Sequence, residues 1–203
     1  MFWKKPTAFL AVFIVILCAA GAGADTMTKP YEKATFAGGC FWGMEKYFAQ
    51  IDGVSETRVG YTGGRIGNPN YELVCTGLTG HAEAIEITYD PSKVSYDDFL
   101  EFFFMHHDPT TLNRQGPDVG SQYRSAIFYH SKEQEEAAKK AKDLLGKAGI
   151  FKNRIVTEIQ SAGEFYTAED YHQKYLQKNP HGYCSIQLQS KKISEVLRAA
   201  RAK

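Results

Sequence analysis

The stretch FAGGCFWGMEKYF, residues 36–48, contains the end of one backbone type and the start of another. Lys33 to Ala37 leads into it as a short strand, and Gly38 and Gly39 make a turn. Met44, Tyr47, Phe48 and Ile51 then recur at the i, i+3, i+4, i+7 spacing of a helix face. Cys40 therefore falls at a helix N-terminus.

The same reading extends outward. Ser55 to Tyr61 reads as a strand running into the turn-rich loop GYTGGRIGNPN, residues 60–70. Glu83 to Tyr89 alternates as a strand should and stops at Asp90-Pro91, while Tyr96, Phe99, Leu100 and Phe103 mark an amphipathic helix. Strands are expected at Tyr123–Tyr129 and Val156–Gln160, and helices at Lys132 to about Lys147, Ala168–Gln177 and Ile193–Ala200. Without a strict βαβ rhythm, the order favours a single α+β domain, with a mixed, mainly antiparallel sheet covered by helices. A chain of 203 residues, 43% of them apolar, suffices for one such core, and no linker-like run follows residue 30.

The first 24 residues read differently. Lys4 and Lys5 precede an apolar run from Ala8 to Ala20, and Ala22-Gly23-Ala24 offers a cleavage site, the pattern of a secretory signal peptide. The expected division is a signal over 1–24 and a single mature domain over 25–203 that is exported to a periplasm or secreted. The alternative is a membrane anchor formed by an uncleaved N-terminal helix, although the run is short for a span. Leu17 before Cys18 argues against a lipidation site. Removing Lys4 and Lys5 takes the formal charge from +1 to −1, so no nucleic-acid or anionic-lipid footprint is expected.

Cys40, Cys75 and Cys184 then remain, an odd number with no C-x-x-C pair, which leaves thioredoxin-like and zinc-cluster chemistry unsupported. Cys75 lies in an apolar stretch and reads as an inert buried thiol. A cysteine at a helix N-terminus is drawn toward thiolate, but the dipole supplies only about 0.3–1 kcal/mol, under one pKa unit, so a second group has to help. The alternative for Cys40 is a small buried hydrophobe in an aromatic helix start.

In EAIEITY, Glu83 shares a face with Ile85, Ile87 and Tyr89, and Glu86 lies on the opposite, solvated face. A carboxyl heading an apolar stripe keeps its proton near neutral pH; the other reading has Glu83 bending out to water. His106, His107 and Asp108 are adjacent on a helix end and point in different directions, so no metal is expected there. His81, His172 and His181 read as structural hydrogen-bonding residues. Cys184, in the turn-rich NPHGYC, is placed as a recycling thiol or as half of a static disulfide. Two rival functions stay open: a cysteine hydrolase using His81 or His172 as base, and a non-catalytic domain stapled by a disulfide.

GCFWG at 39–43, YELVCTGLTGHAEAIEITYDP at 71–91, HHDPTTLNRQGPDVGSQYRSAI at 106–127 and AEDYHQKYLQKNPHGYC at 168–184 together resemble the A-type peptide methionine sulfoxide reductases. The likeness runs from about Ala34 to Cys184. It implies a ferredoxin-like two-layer sandwich with extensions and a repair enzyme against oxidative stress. Its substrate would be the S epimer of methionine sulfoxide, free or in proteins. Residue by residue, it implies Cys40 as the nucleophile, Phe41 and Trp42 as the wall for the substrate methyl group, and Glu83 as the acid with Tyr71 and Tyr123 as further donors. Asp118 would shape the pocket, and Cys184 would close a disulfide with Cys40. No cofactor is expected beyond an external thioredoxin-like reductant, and the protein is expected to be a monomer. Where many relatives carry a second recycling cysteine, the tail SIQLQSKKISEVLRAARAK has none.

Overall fold

The structure is a computed structural model that describes residues 1–2, 30–186 and 188–202. The apolar run of the expected leader, Cys18 and the cleavage site after Ala24 lie outside the described residues.

In chain order the elements are β1 (Glu32–Gly38), α1 (Phe41–Phe48), β2 (Val54–Thr62), α2 (Tyr71–Cys75), β3 (Ala82–Tyr89) and α3 (Tyr96–Met105). The short pair β4 (Arg114–Gln115) and β5 (Asp118–Val119) precedes β6 (Ser125–Tyr129), α4 (Lys132–Lys147) and β7 (Glu158–Ser161). The chain closes with β8 (Tyr166–Thr167), α5 (Tyr175–Lys178) and α6 (Lys192–Arg201). Six strands form one sheet in the order β7-β6-β1-β3-β2-β8, antiparallel except between β6 and β7. The mainly antiparallel α+β sheet expected from the sequence is what forms. Its centre, β1-α1-β2-β3-α3-β6, is the ferredoxin-like βαββαβ path, extended at both edges by β7 and β8.

The two faces of the sheet are built from different residues. Alternation sends Phe36, Ile85, Ile87 and Tyr89 to the helix-covered side, where Phe36 stacks on Phe48 at 5.4 Å and on Phe103 at 5.2 Å. Ser95 and Asp98 form a capping box that starts α3, and Ser131 caps α4. The other face carries Ala37, Ala82, Ala84 and Ala126 with Phe128, small side chains that let the chain around Ala162 and Phe165 lie close.

Four local expectations are corrected. Glu86 is not solvated: it is buried between Lys33, at 3.1 Å, and Arg58. Burial pushes its carboxyl up, but the two cations outweigh that and hold it below the usual range. Tyr123 is not in a strand; it ends a 3₁₀ turn, Ser121–Tyr123, with its N–H donating to Gly120 O at 3.0 Å. The helix expected over 168–177 is reduced to α5. Its polar side chains bind other elements instead, and the Gln173 amide pairs with the N–H and carbonyl of Val59 on β2. Lys174 then takes a left-handed φ of 54° that breaks any helical run. Cys75, expected to be buried, is exposed on α2, because the short helix it ends buries only Val74.

Candidate active site

The turn between β1 and α1 sets the position of the thiol. Gly39 has φ +98°, and a Cβ there would come within 2.6 Å of Gln115 Cγ, so only glycine fits. Gln115 is itself fixed by two hydrogen bonds to the backbone of Asp108. Cys40 follows as the N-cap of α1 and is 7% exposed, with no side-chain capping bond to divert its sulfur.

Cys40, Phe41, Trp42, Tyr71, Glu83, Asp118, Tyr123 and Tyr183 line a single cavity. Seven of these were singled out in the sequence, and they come from four segments. Glu83 sits near the start of β3 in register with Tyr61 of β2 and is 2% exposed, so it does not bend out to water. Burial, reinforced by the negative charge of Asp118 and only partly offset by the Phe41 N–H that donates to Oε2 at 3.1 Å, lifts its pKa to about 8. Glu83 is therefore a neutral acid at pH 7.

The Cys40 thiol corrects the expectation drawn from the helix dipole. Burial and then the nearby Glu83 carboxylate push its pKa far up, and the N–H of Trp42 offsets this only in part. The desolvation of a buried thiolate exceeds what one helix end returns. The resting site holds a thiol beside a carboxylic acid.

Tyr71 and Tyr123 both stay protonated, raised first by burial. Tyr71 is held by its backbone N–H, which donates to Glu169 Oε1 at 2.9 Å, while the other oxygen of Glu169 accepts the Tyr61 hydroxyl at 2.9 Å. Asp118 accepts the Tyr183 hydroxyl at 2.8 Å on Oδ1, and its buried Oδ2 has no partner. Trp42 stacks on Tyr175 at 3.8 Å and donates its indole N–H to His172 Nδ1 at 3.0 Å.

That last bond makes Nδ1 of His172 an acceptor already in use. His81 is likewise engaged, by the N–H of Gly64 and the carbonyl of Ile66. Neither histidine lines the cavity, so the hydrolase reading lacks a base. His107 bonds Phe103 O and Ser125 Oγ, and His106 bonds Phe102 O, so the two rings serve different partners. All three described cysteines are free thiols, so the domain folds here without a disulfide staple. Cys184 does not line the cavity; it is exposed and lies against the first turn of α1.

A family profile described as peptide methionine sulfoxide reductase matches residues 32–202. The chain belongs to that family. It is 62% identical over 156 residues to a peptide methionine sulfoxide reductase MsrA of Methanothermobacter thermautotrophicus, covering 77% of this chain and 92% of the relative. Among solved structures it is similar to reduced Mxr1 from Saccharomyces cerevisiae, with a TM-score of 0.72 and 39% identity over 79% of this chain and 93% of that one. It also matches Mxr1 in complex with Trx2, with a TM-score of 0.53 and 28% identity over 79% and 91% of the two chains.

In this member of the peptide methionine sulfoxide reductase family, sequence reasoning missed Tyr183 as a wall of the cavity and Glu169 as the holder of Tyr71. It also left His172 without its partner Trp42. Tyr183 precedes Cys184 directly, and that adjacency was the available signal; the Glu169 and His172 contacts join residues about 100 or more apart and carry no local pattern.

Proposed function

We propose that this chain is a thiol-dependent reductase that returns the S epimer of methionine sulfoxide to methionine. The observation that carries the reading is the pairing of the Cys40 thiol with a protonated Glu83 in a cavity walled by Phe41 and Trp42. A sulfoxide oxygen leaves poorly until it is protonated, and a buried neutral carboxyl flanked by two phenols supplies that proton where charge develops. Phe41 and Trp42 give the methyl group an apolar surface.

The step balances without a cofactor. Glu83 gives its proton to the sulfoxide oxygen as the Cys40 sulfur attacks and gives up its own proton, which returns to Glu83. The substrate's S–O bond breaks, an S–O bond to Cys40 forms, and the products are methionine and Cys40 sulfenic acid. The Cys184 thiol then condenses with the sulfenic acid, releasing water and forming a disulfide. A thioredoxin-like dithiol reduces that disulfide by exchange and is itself oxidised. The Trx2 complex of the related yeast protein supports that partner. No metal is required. Export of the mature domain rests on Lys4, Lys5, the apolar run and the Ala22-Gly23-Ala24 site.

The test is incubation of residues 25–203 with a peptide carrying methionine sulfoxide and dithiothreitol, with Cys40→Ser as control. Methionine should appear only with the wild-type chain. Equal yield from the Cys40→Ser protein would overturn the assignment.

A further inference from the structure

Gly43 sits inside α1, has no positive φ, and so does not need glycine for its backbone. A glycine within a helix is ordinarily less favourable than alanine. The space above it explains the choice. A Cβ on Gly43 would lie 2.6 Å from Ile186 Cγ1 and 3.1 Å from Cys184 Sγ. Both distances are below ordinary van der Waals contact, and the first is one that real side chains essentially never show.

The segment carrying Cys184 is pressed onto this turn along its length. Ser185 is buried, and its Oγ would be 3.8 Å from a Cβ on Gly39. Ile186 packs against the main core. Further along, the N–H of Gln189 donates to Met105 O at 2.8 Å at the end of α3. Residues 184–186 thus lie across the turn that runs from Gly39 to Gly43, with Cys40 between those two glycines. Cys40 is the N-cap of α1 and Gly43 lies in its first turn, so a sulfur resting over Gly43 sits on the same turn of chain that carries Cys40.

We infer that Gly43 is a positioning residue for recycling: its missing side chain makes the seat in which Ile186 plugs and from which Cys184 reaches Cys40. The inference rests on the proposed sulfenic acid chemistry and adds to it the reason Cys184 is in place before oxidation. In a chain whose tail has no further cysteine, this seat sets the rate at which the sulfenic acid is resolved.

The experiment is a single turnover without reductant, in which methionine, the Cys40–Cys184 disulfide and sulfenic acid trapped by a cyclic 1,3-diketone are followed together. Gly43→Ala is expected to release its first methionine and then accumulate trapped sulfenic acid, with disulfide formation slowed by about 10-fold or more. Ile186→Ala, which leaves the helix untouched, should slow that step a few-fold by freeing the plug. The double variant Gly43→Ala/Ile186→Ala should match Ile186→Ala and so recover most of the loss, the non-additivity expected of two groups competing for one space. Disulfide formation at the wild-type rate in Gly43→Ala, or in Ile186→Ala should the former not fold, would overturn the seat alone. Absence of any disulfide in the wild-type protein would overturn the recycling chemistry and this inference with it.

Discussion

Phe41 and Glu83 are tied across the site by one hydrogen bond, the Phe41 N–H donating to Glu83 Oε2 at 3.1 Å. The residue after the thiol thereby orients the acid, and a helix start and a strand start are locked into one geometry. The bond satisfies one carboxyl oxygen without ionising the group, since burial still holds its pKa at about 8.

A pH dependence follows directly. An acid that must donate is lost as the pH rises through about 8, so wild-type kcat/KM should fall on the alkaline side with a midpoint near that value. The Cys40 thiol titrates higher still and does not supply this limb. Glu83→Gln should lose about 100-fold or more in kcat with little change in KM, and the limb near pH 8 should vanish. The folded chain binds this proton more tightly than the unfolded one, so stability should fall as the pH climbs from about 4.5 to about 8, and Glu83→Gln should flatten that slope in urea titrations at a series of pH values.

Cys184→Ser should separate reduction from recycling. The variant is expected to release one methionine per chain at the wild-type rate, retain a Cys40 sulfenic acid detectable by mass spectrometry, and fail to turn over with thioredoxin. Sustained thioredoxin-driven turnover by Cys184→Ser would show that another group resolves the intermediate.

Trp42 is anchored by His172, its indole N–H donating to Nδ1 at 3.0 Å. His172→Phe removes the acceptor of a half-buried indole N–H, a loss of about 1 kcal/mol. Calorimetry should show a lower Tm, and kinetics a KM raised several-fold with kcat largely kept. A complete loss of kcat with intact fold would instead restore a base role for His172.

Glu45 illustrates support from outside the site. It is 1% exposed and accepts the Thr57 hydroxyl at 3.2 Å and the Lys174 N–H at 2.6 Å, bracing the left-handed residue just before α5 and hence Tyr175 under Trp42. Glu45→Ala strands two donors and should cost about 2–4 kcal/mol in chemical denaturation, with weaker substrate binding through Trp42; Glu45→Gln should recover part of it.

Much of this protein was legible in the residue order because its main signals are local. The strand-to-helix change around Gly38–Gly39 placed Cys40 at a helix start, and the alternation of EAIEITY put Glu83 on the apolar face, each from periods of a few residues. The same locality explains the failures. Glu86 has the alternation of a solvated residue, yet Lys33 and Arg58 from the two flanking strands close over it. The run 168–177 has helical composition, yet its polar side chains gain more by binding β2, Trp42 and Tyr71 than by facing water.

Periodicity in the sequence put Cys40 at a helix start and Glu83 on the apolar face, and the resemblance of four ordered motifs added Phe41, Trp42, Tyr71, Asp118, Tyr123 and Cys184. Their electrostatic state was decided only in three dimensions. Whether Cys40 rests as thiol or thiolate, and whether Glu83 keeps its proton, depends on how much water packing removes from them and which charges arrive from distant segments. Desolvation is a property of the assembled volume, so no window of neighbouring residues encodes it.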